Sequence, residues 1–282
     1  MEIKLFLSAT LFLLSVAGCA GTGEPAGVVR LATTTSVRDS GLLDALTDEF
    51  HKDGKWKLQA IAVGSGQAMQ LGRTGEADLL WVHSPDAEAE FVAEGYGTDR
   101  VTFISNDFVL LGPAADPAGV KGVKTAAAAF KKIAAAGAPF VSRADKSGTH
   151  VKEMKVWEAA GVKPVTGAAP SPAWPGYLEA GQGMAGTLSI AEEKKAYVLA
   201  DRSTWLSMKG NLSLAVVHEG DPALLNRYSL ILVNPEKFPR ANAAGARAFY
   251  SFALSERSRA ITEKFGADRY GEPLFRWDLP AK

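Results

Sequence analysis

Short apolar runs of strand length alternate with amphipathic helical patterns along most of this sequence. Residues 28–32, 58–63 and 77–82 are such runs, and residues 42–50 follow the first of them with leucines and a phenylalanine at helical spacing. Alternation of this kind indicates β-α units, because a crossover helix carries the chain from one strand to a parallel neighbour. We therefore predict an α/β fold with mostly parallel strands.

The pattern changes in the middle of the chain. An apolar run at residues 108–111 is ended by Gly112-Pro113, and residues 228–233 form a second apolar run suited to a returning strand. The chain has 282 residues, and above roughly 250 residues a single core usually divides into two. We expect two α/β lobes joined by two strand crossings, with a cleft between them. The expected boundaries are residues 28–111 and 223–282 for lobe I and residues 112–222 for lobe II.

Turns rich in hydrogen-bond donors follow three apolar runs. Thr33-Thr34-Thr35-Ser36 follows the first run, Gly64-Ser65-Gly66-Gln67 follows the second, and residues 142–149 follow a later one, each before a helical pattern. The first N–H groups of a helix lack intrahelical partners and carry the positive end of its dipole, so such turns bind anions. One turn alone is more often only a helix cap or a tight turn. Three of them at strand ends, two in lobe I and one in lobe II, predict one anion site with donors facing each other across the cleft.

The chemistry of these turns suits a small tetrahedral oxyanion. They combine hydroxyls and backbone N–H groups with one guanidinium, that of Arg143, which supplies charge and a two-pronged donor. A fully deprotonated dianion needs donors only, whereas hydrogen phosphate also needs an acceptor for its proton. Asp145 is the nearby candidate acceptor, but an acid in such a turn usually caps its own backbone, and we expect that local role.

The amino-terminal residues have the pattern of a secretory leader. Residues 1–18 contain Lys4 and a long apolar run, and they end directly before Cys19. The run is too short to span a membrane and is typical of a signal peptide. We therefore predict an exported protein of the periplasm or cell envelope.

The end of the leader predicts a lipid anchor. Residues 16–19 resemble a bacterial lipobox, in which cleavage precedes the cysteine and Cys19 is acylated, with residues 19–27 as a flexible spacer. A plain signal peptide cut near Ala20 or Ala26 is the alternative. Because the sequence has only one cysteine, it excludes an internal disulfide and a CxxC site.

Charge and residue spacing argue against several other classes of protein. The sequence has 31 acidic and 31 basic residues, so it lacks the basic excess that binding of nucleic acid requires. The four histidines are scattered without the spacing of metal ligands. We expect neither a metal site nor a cofactor.

An exported serine hydrolase is the alternative from a different functional class. Ser147, His150 and Asp145 could form a hydrolytic set. However, no G-x-S-x-G elbow is present, and Ser147 and His150 fall within a single helix start. We therefore expect that the protein is not an enzyme.

Several motifs, taken together, resemble one known family. They lie in the same order between about residues 31 and 275, nearly the whole mature chain. They include Thr33-Thr34-Thr35-Ser36, Val63-Gly64-Ser65-Gly66-Gln67-Ala68, Ser142-Arg143 with Ser147-Gly148-Thr149-His150, Gly181-Gln182-Gly183-Met184 and Tyr270-Gly271-Glu272-Pro273-Leu274-Phe275. This set is similar to that of the extracellular tungstate-binding proteins of bacterial ABC importers.

The resemblance implies a type II periplasmic-binding-protein fold that captures tungstate in the cleft and delivers it, as a monomer, to a membrane permease with a cytoplasmic ATPase. The oxyanion-binding residues it points to are Thr34, Thr35, Ser36, Ser65, Arg143, Ser147, Gly148 and Thr149. Molybdate is nearly the same size as tungstate and stays an alternative ligand. Phosphate and sulfate are less favoured, and sulfate, being smaller, would leave donors unpaired.

Overall fold

The computed structural model describes residues 27–164 and 176–280. The strands are β1 (Val28–Thr34), β2 (Lys57–Val63), β3 (Leu79–Val82), β4 (Gly97–Gly112), β5 (Phe140–Ser142), β6 (Tyr177–Glu179), β7 (Val198–Asp201), β8 (Ala215–His218), β9 (Leu225–Val233) and β10 (Arg276–Trp277). The α-helices are α1 (Thr35–Asp39), α2 (Leu42–His51), α3 (Ser65–Arg73), α4 (Pro85–Ala93), α5 (Ala126–Ala135), α6 (Gly148–Ala159), α7 (Met184–Lys194), α8 (Arg202–Met208), α9 (Ala243–Ala253), α10 (Glu256–Thr262) and α11 (Ala267–Tyr270). Short 3-10 helices lie at Lys209–Asn211 and Pro222–Leu224.

Part of the sequence interpretation falls outside this range. The leader at residues 1–18, Cys19 and all but the last residue of the spacer at residues 19–27 lie outside the described residues. In the part of the chain that is described, no helix combines the length and hydropathy needed to cross a bilayer.

Lobe I is built on a sheet with the strand order β2-β1-β3-β9-β4-β10. β1 pairs in parallel with β2 and β3, whereas β9 runs antiparallel to both β3 and β4. Successive side chains of a strand point to opposite faces. Leu31 accordingly packs in a core with side chains of α2 and α9, while Ala32 packs in a second core with side chains of α3 and α4. Helices therefore cover both faces of this sheet, which explains its nearly continuous apolar strands.

Lobe II is built around the second part of β4, which pairs antiparallel with β7 and β8. A small parallel sheet of β5 and β6 lies beside these strands. Phe108 packs in a core with Trp157 of α6, and Val109 packs in a different core with Leu188 of α7. Lobe II thus repeats the plan of lobe I, with apolar cores on both sides of the strands.

Two strand crossings join the lobes, as predicted. β4 is 16 residues long and pairs with β9 as far as Asp107 and with β7 from Phe108 onward. The chain returns to lobe I at Leu225, where β9 begins. The prediction of mostly parallel strands is wrong, because among the described residues every strand pair that involves β4 or β9 is antiparallel. Of the strands that the structure describes, only β1 with β2, β1 with β3, and β5 with β6 pair in parallel. The outgoing β4 and the returning β9 run in opposite directions and pair with each other.

Candidate functional site

Three helices begin at the cleft between the lobes, where their strands end. β1 ends at Thr34 and α1 begins with the next residue. β2 ends at Val63, and α3 begins at Ser65 after a single glycine. α6 begins at Gly148, after the turn that follows β5. The carboxyl ends of strands from both lobes therefore bring helix N-termini to one place.

These turns enclose a small cavity of about 50 Å³ between the lobes. All the residues that the sequence predicts as an oxyanion site line it: Thr34, Thr35, Ser36, Ser65, Arg143, Ser147, Gly148 and Thr149. The other residues of the lining are Val63, Gly64, His83, Phe108, Asp201 and Asn226. The structure therefore places the three separate turns around a single cavity.

The hydroxyls of the lobe I turns are not used as helix caps. Thr34, at the N-cap position of α1, makes no side-chain cap hydrogen bond, and Gly64 at the same position of α3 has no side chain with which to make one. The Thr34 Oγ1 and Ser36 Oγ atoms lie 3.0 Å apart, and Ser36 Oγ lies 3.3 Å from His83 Nε2. The first N–H groups of both helices thus lack a side-chain acceptor, which is the condition for binding an anion there.

The lobe II turn is organised differently. The Ser147 hydroxyl oxygen caps α6 by accepting the N–H of His150 at 3.3 Å. The His150 ring does not face Ser147 as a base would, because its Nδ1 atom accepts the N–H of Lys146 at 3.0 Å. The geometry therefore forms no serine–histidine pair of a hydrolase, and Ser147 serves as a helix cap as well as part of the cavity wall.

Arg143 brings a guanidinium to the cavity wall, with only 16% of its side chain exposed. Its Nη2 atom is ion-paired with Asp145, and its Nη1 atom donates to Thr149 Oγ1 at 3.4 Å. Its Nε atom is buried and has no hydrogen-bond partner among the residues that the structure describes. Leaving such a donor unsatisfied costs about 1–3 kcal/mol or more. The guanidinium of Arg143 places a positive charge at the cavity wall.

Asp145 has the local role expected from its position in the turn. Its Oδ1 atom accepts the N–H of Ser147 at 3.1 Å, and its Oδ2 atom accepts from Arg143. Burial favours the neutral acid, but the hydrogen bonds from Ser147 and the charge of Arg143 outweigh it, so the pKa of Asp145 lies below its ordinary value. The carboxylate is charged at neutral pH and does not line the cavity.

His83 is a wall residue that the sequence interpretation missed. Burial is the main cause that lowers the pKa of His83 to about 4, so its ring is neutral at neutral pH. The ring touches lobe II closely, because a Cβ atom at Gly148 would lie 2.4 Å from His83 Cε1. The two lobes are therefore in contact around the cavity, and glycine at position 148 is what permits it. His83 could have been found from the sequence, because it directly follows β3, which ends at the same edge of the sheet as β1 and β2.

Asn226 and Asp201 also line the cavity and carried no signal in the sequence. Asn226 Nδ2 donates to Asn106 Oδ1 at 2.9 Å and to the Tyr228 hydroxyl at 2.8 Å. Asp201 caps α8 and accepts the N–H of Thr204 at 2.8 Å. Both positions depend on which strands pair across the two crossings, which local sequence patterns do not encode.

The cavity wall as a whole offers more donors than acceptors. Of the wall residues that the structure describes, Arg143 is the only cation and Asp201 the only carboxylate. Asp201 Oδ1 is already occupied by the hydroxyl of Ser203 at 2.6 Å and by both donors of Thr204. Among the described residues, no cluster of histidine, cysteine or acidic side chains is able to hold a metal ion. The wall suits a small, fully deprotonated anion.

Comparisons with known proteins show the family of the chain. Residues 20–257 match the family model of the PBP superfamily domain. A relative from Peptoclostridium acidaminophilum, described as tungstate-binding protein TupA, is 43% identical over 97% of this chain and 96% of its own length.

Two solved structures are similar over most of the chain. One is the tungstate-binding protein TupA from Desulfovibrio alaskensis G20, with a TM-score of 0.79 and 42% identity over 90% of this chain and 100% of that one. The other, described as the tungstate ABC transporter from Geobacter sulfurreducens, has a TM-score of 0.70 and 42% identity over 83% of this chain and 97% of that one.

Proposed function

Because this chain belongs to the tungstate-binding proteins of the PBP superfamily, we propose that it captures one tungstate ion in the interlobe cavity and delivers it to an ABC importer. Proteins of this kind bind and release a solute without changing it chemically. The relative and the two solved structures named above are a tungstate-binding protein TupA in two cases and a tungstate ABC transporter in the third. The function therefore rests on the family together with the chemistry of the cavity.

The single observation that carries the proposal is the guanidinium of Arg143 in a cavity wall that otherwise consists mainly of hydroxyls and helix N-termini. A tetrahedral dianion has only acceptor oxygens, so it pairs with the charge of Arg143 and accepts from the hydroxyls and the helix N–H groups. Hydrogen phosphate would also bring one donor, and the one carboxylate among the described wall residues, Asp201, already accepts from Ser203 and Thr204. The proposed ligands are Thr34, Thr35, Ser36, Ser65, Arg143, Ser147, Gly148 and Thr149.

The size of the ion allows the cavity to discriminate tungstate from sulfate but not from molybdate. Sulfate is smaller, so in a cavity built for the larger ion some donors would remain unpaired, and each buried unpaired donor costs about 1–3 kcal/mol. That penalty corresponds to roughly 5- to 150-fold in affinity. Molybdate stays the closest alternative ligand.

Titration calorimetry of the ligand-free protein with tungstate, molybdate, sulfate and phosphate tests the proposal. We expect one tungstate ion per chain and much weaker binding of sulfate and phosphate. Equal affinity for phosphate and tungstate would contradict the donor-only cavity and would require an acceptor for the phosphate proton.

The proposed binding unit is a monomer that closes on its ligand. The donors of the cavity wall are divided between the two lobes. All of them reach one small ion only when the lobes approach, so the ion favours the closed state. A permease could then distinguish loaded from empty carriers by their shape.

We also propose that the mature protein is exported and tethered to the membrane through acylated Cys19. The support is the lipobox-like end of the leader, and the periplasmic-binding family agrees with export. A tether would keep the carrier near its permease, and two acyl chains suffice for stable anchoring.

Replacing the proposed lipidation site tests the tether. Cys19→Ser is expected to abolish acylation and to move the protein from the membrane fraction to the soluble exported fraction, because serine offers no thiol for the acyl transfer. Fractionation with metabolic labelling by a fatty acid measures both effects. A Cys19→Ser protein that stays in the membrane fraction would overturn the proposal.

A further inference from the structure

Two larger pockets adjoin the ion cavity, one on each side. The first, here called the lysine mouth, has a volume of about 740 Å³ and shares Ser65, His83 and Gly148 with the cavity wall. The second, here called the Asp39 mouth, has a volume of about 530 Å³ and shares Ser36 and Arg143 with the wall. Each mouth is therefore a candidate route for an ion between solvent and the cavity.

The two mouths carry opposite charge. The charged residues that line the lysine mouth are Lys146, Lys152, Lys155, Arg227 and the single acid Asp86. The charged residues that line the Asp39 mouth are Asp39, Asp201 and Arg143. His83, which also lines the lysine mouth, is neutral at neutral pH because burial lowers its pKa to about 4. The first mouth therefore has a positive balance and the second a slightly negative one.

The positive charge of the lysine mouth is largely uncompensated. Lys155 forms an ion pair with Asp86 at 2.7 Å. Lys146 and Arg227 are exposed and form no ion pair within the described part of the chain. Residues 165–175, which the structure does not describe, contain no charged side chain that could neutralise them.

Lys152 lines the same mouth, but its ammonium group is bound to the backbone. Its ammonium group donates to the carbonyl oxygens of Ala223 at 2.8 Å and Leu225 at 3.1 Å, where the chain crosses back to lobe I. Burial is the main cause that lowers the pKa of Lys152, and the neighbouring charges of Lys155 and Arg227 add to it. The charge of Asp221 acts on Lys152 in the opposite direction. Three cations of the mouth, Lys152, Lys155 and Arg227, therefore lie close enough to repel one another.

We propose that the oxyanion enters and leaves the cavity through the lysine mouth, steered by the field of Lys146 and Arg227. This inference rests on the proposed function, since it names the path to the proposed site. A cleft lined by charge of one sign concentrates ions of the opposite sign and raises their association rate. Charges at the rim change the association rate and its salt dependence more than the dissociation rate.

The test measures association rates of tungstate by stopped-flow fluorescence. The only cysteine of the sequence is Cys19, directly after the leader. A variant that combines Cys19→Ser with Ser207→Cys therefore has a single thiol, to which the fluorophore is attached. Ser207 is exposed and lies on the Asp39 mouth. Lys146→Gln combined with Arg227→Gln is expected to lower the association rate constant by about three- to tenfold at low salt. Its salt dependence should become shallower, with the dissociation rate within about twofold.

Matched controls separate a local path from a general charge effect. Lys55→Gln combined with Lys57→Gln removes the same charge at the far end of β2, and it should leave the association rate nearly unchanged. Asp39→Asn should also leave it unchanged, whereas a path through the Asp39 mouth would make this variant faster. The proposal is overturned if the lysine-mouth variant matches the Lys55 and Lys57 control. If the unmodified protein shows no tungstate binding by calorimetry, the proposed function fails first.

Discussion

Replacing Arg143 by alanine is expected to weaken tungstate binding by at least about 30-fold. Arg143 supplies the only cation of the cavity wall and a buried Nε–H without a partner among the described residues. Losing a buried charge-assisted contact costs about 2–5 kcal/mol, which corresponds to a factor of roughly 30 to several thousand. Titration calorimetry of the variant measures the loss directly.

Two comparisons show whether that loss arises at the ligand. Asp145→Asn removes the partner charge of Arg143 but keeps the guanidinium, so it should bind tungstate at least as tightly as the unmodified protein. Thermal melting of ligand-free Arg143→Ala should stay close to that of the unmodified protein. A much lower melting temperature with intact affinity would mean that Arg143 is structural.

Replacing Gly148 by alanine is expected to have an effect of similar size through a different cause. The new Cβ atom would lie 2.4 Å from Cε1 of His83, a distance that real Cβ atoms essentially never show, so either the His83 ring or the lobe must shift and full closure is opposed. The ligand-free protein should fold normally, since alanine is a better helix former than glycine at the start of α6. We expect affinity to fall by more than tenfold. Tungstate should also produce a smaller decrease in the radius of gyration measured by small-angle X-ray scattering.

A second substitution shows whether the effect of Gly148→Ala arises from its contact with His83. His83→Ala combined with Gly148→Ala removes the obstructing ring and should recover part of the compaction. Gly183→Ala is the matched control, because Gly183 lies directly before α7 of lobe II and a Cβ atom there meets nothing within 4 Å. Unchanged affinity and compaction in Gly148→Ala would contradict closure of the lobes on the ion.

The elements that build the cavity were predictable because each is local in sequence. A strand, a short polar turn and a helix appear in order around Thr34, Ser65 and Gly148. In an open α/β sheet the ends of such strands meet at one edge, which brings the Thr34 and Ser65 turns together. The Gly148 turn follows β5 of a separate sheet and reaches the same place because the two lobes face each other. For this reason the residues proposed from the sequence line one cavity in the structure.

The remaining features depend on contacts between distant parts of the chain. Asn226 lines the cavity because β9 pairs with β4, which sets it opposite Asn106. The contact between His83 and Gly148 exists only where two lobes meet. The charge difference between the two mouths likewise combines residues such as Lys146 and Arg227 from separate elements. Sequence patterns of strands and helices carry no information on such pairings.

A crystal structure of the tungstate complex, with data collected at a tungsten absorption edge, tests the central claim most directly. We predict one anomalous peak per chain inside the cavity, within hydrogen-bond distance of Arg143 and of hydroxyls from both lobes. A peak elsewhere on the protein, or an empty cavity at saturating tungstate, would contradict the assignment of this cavity as the tungstate site.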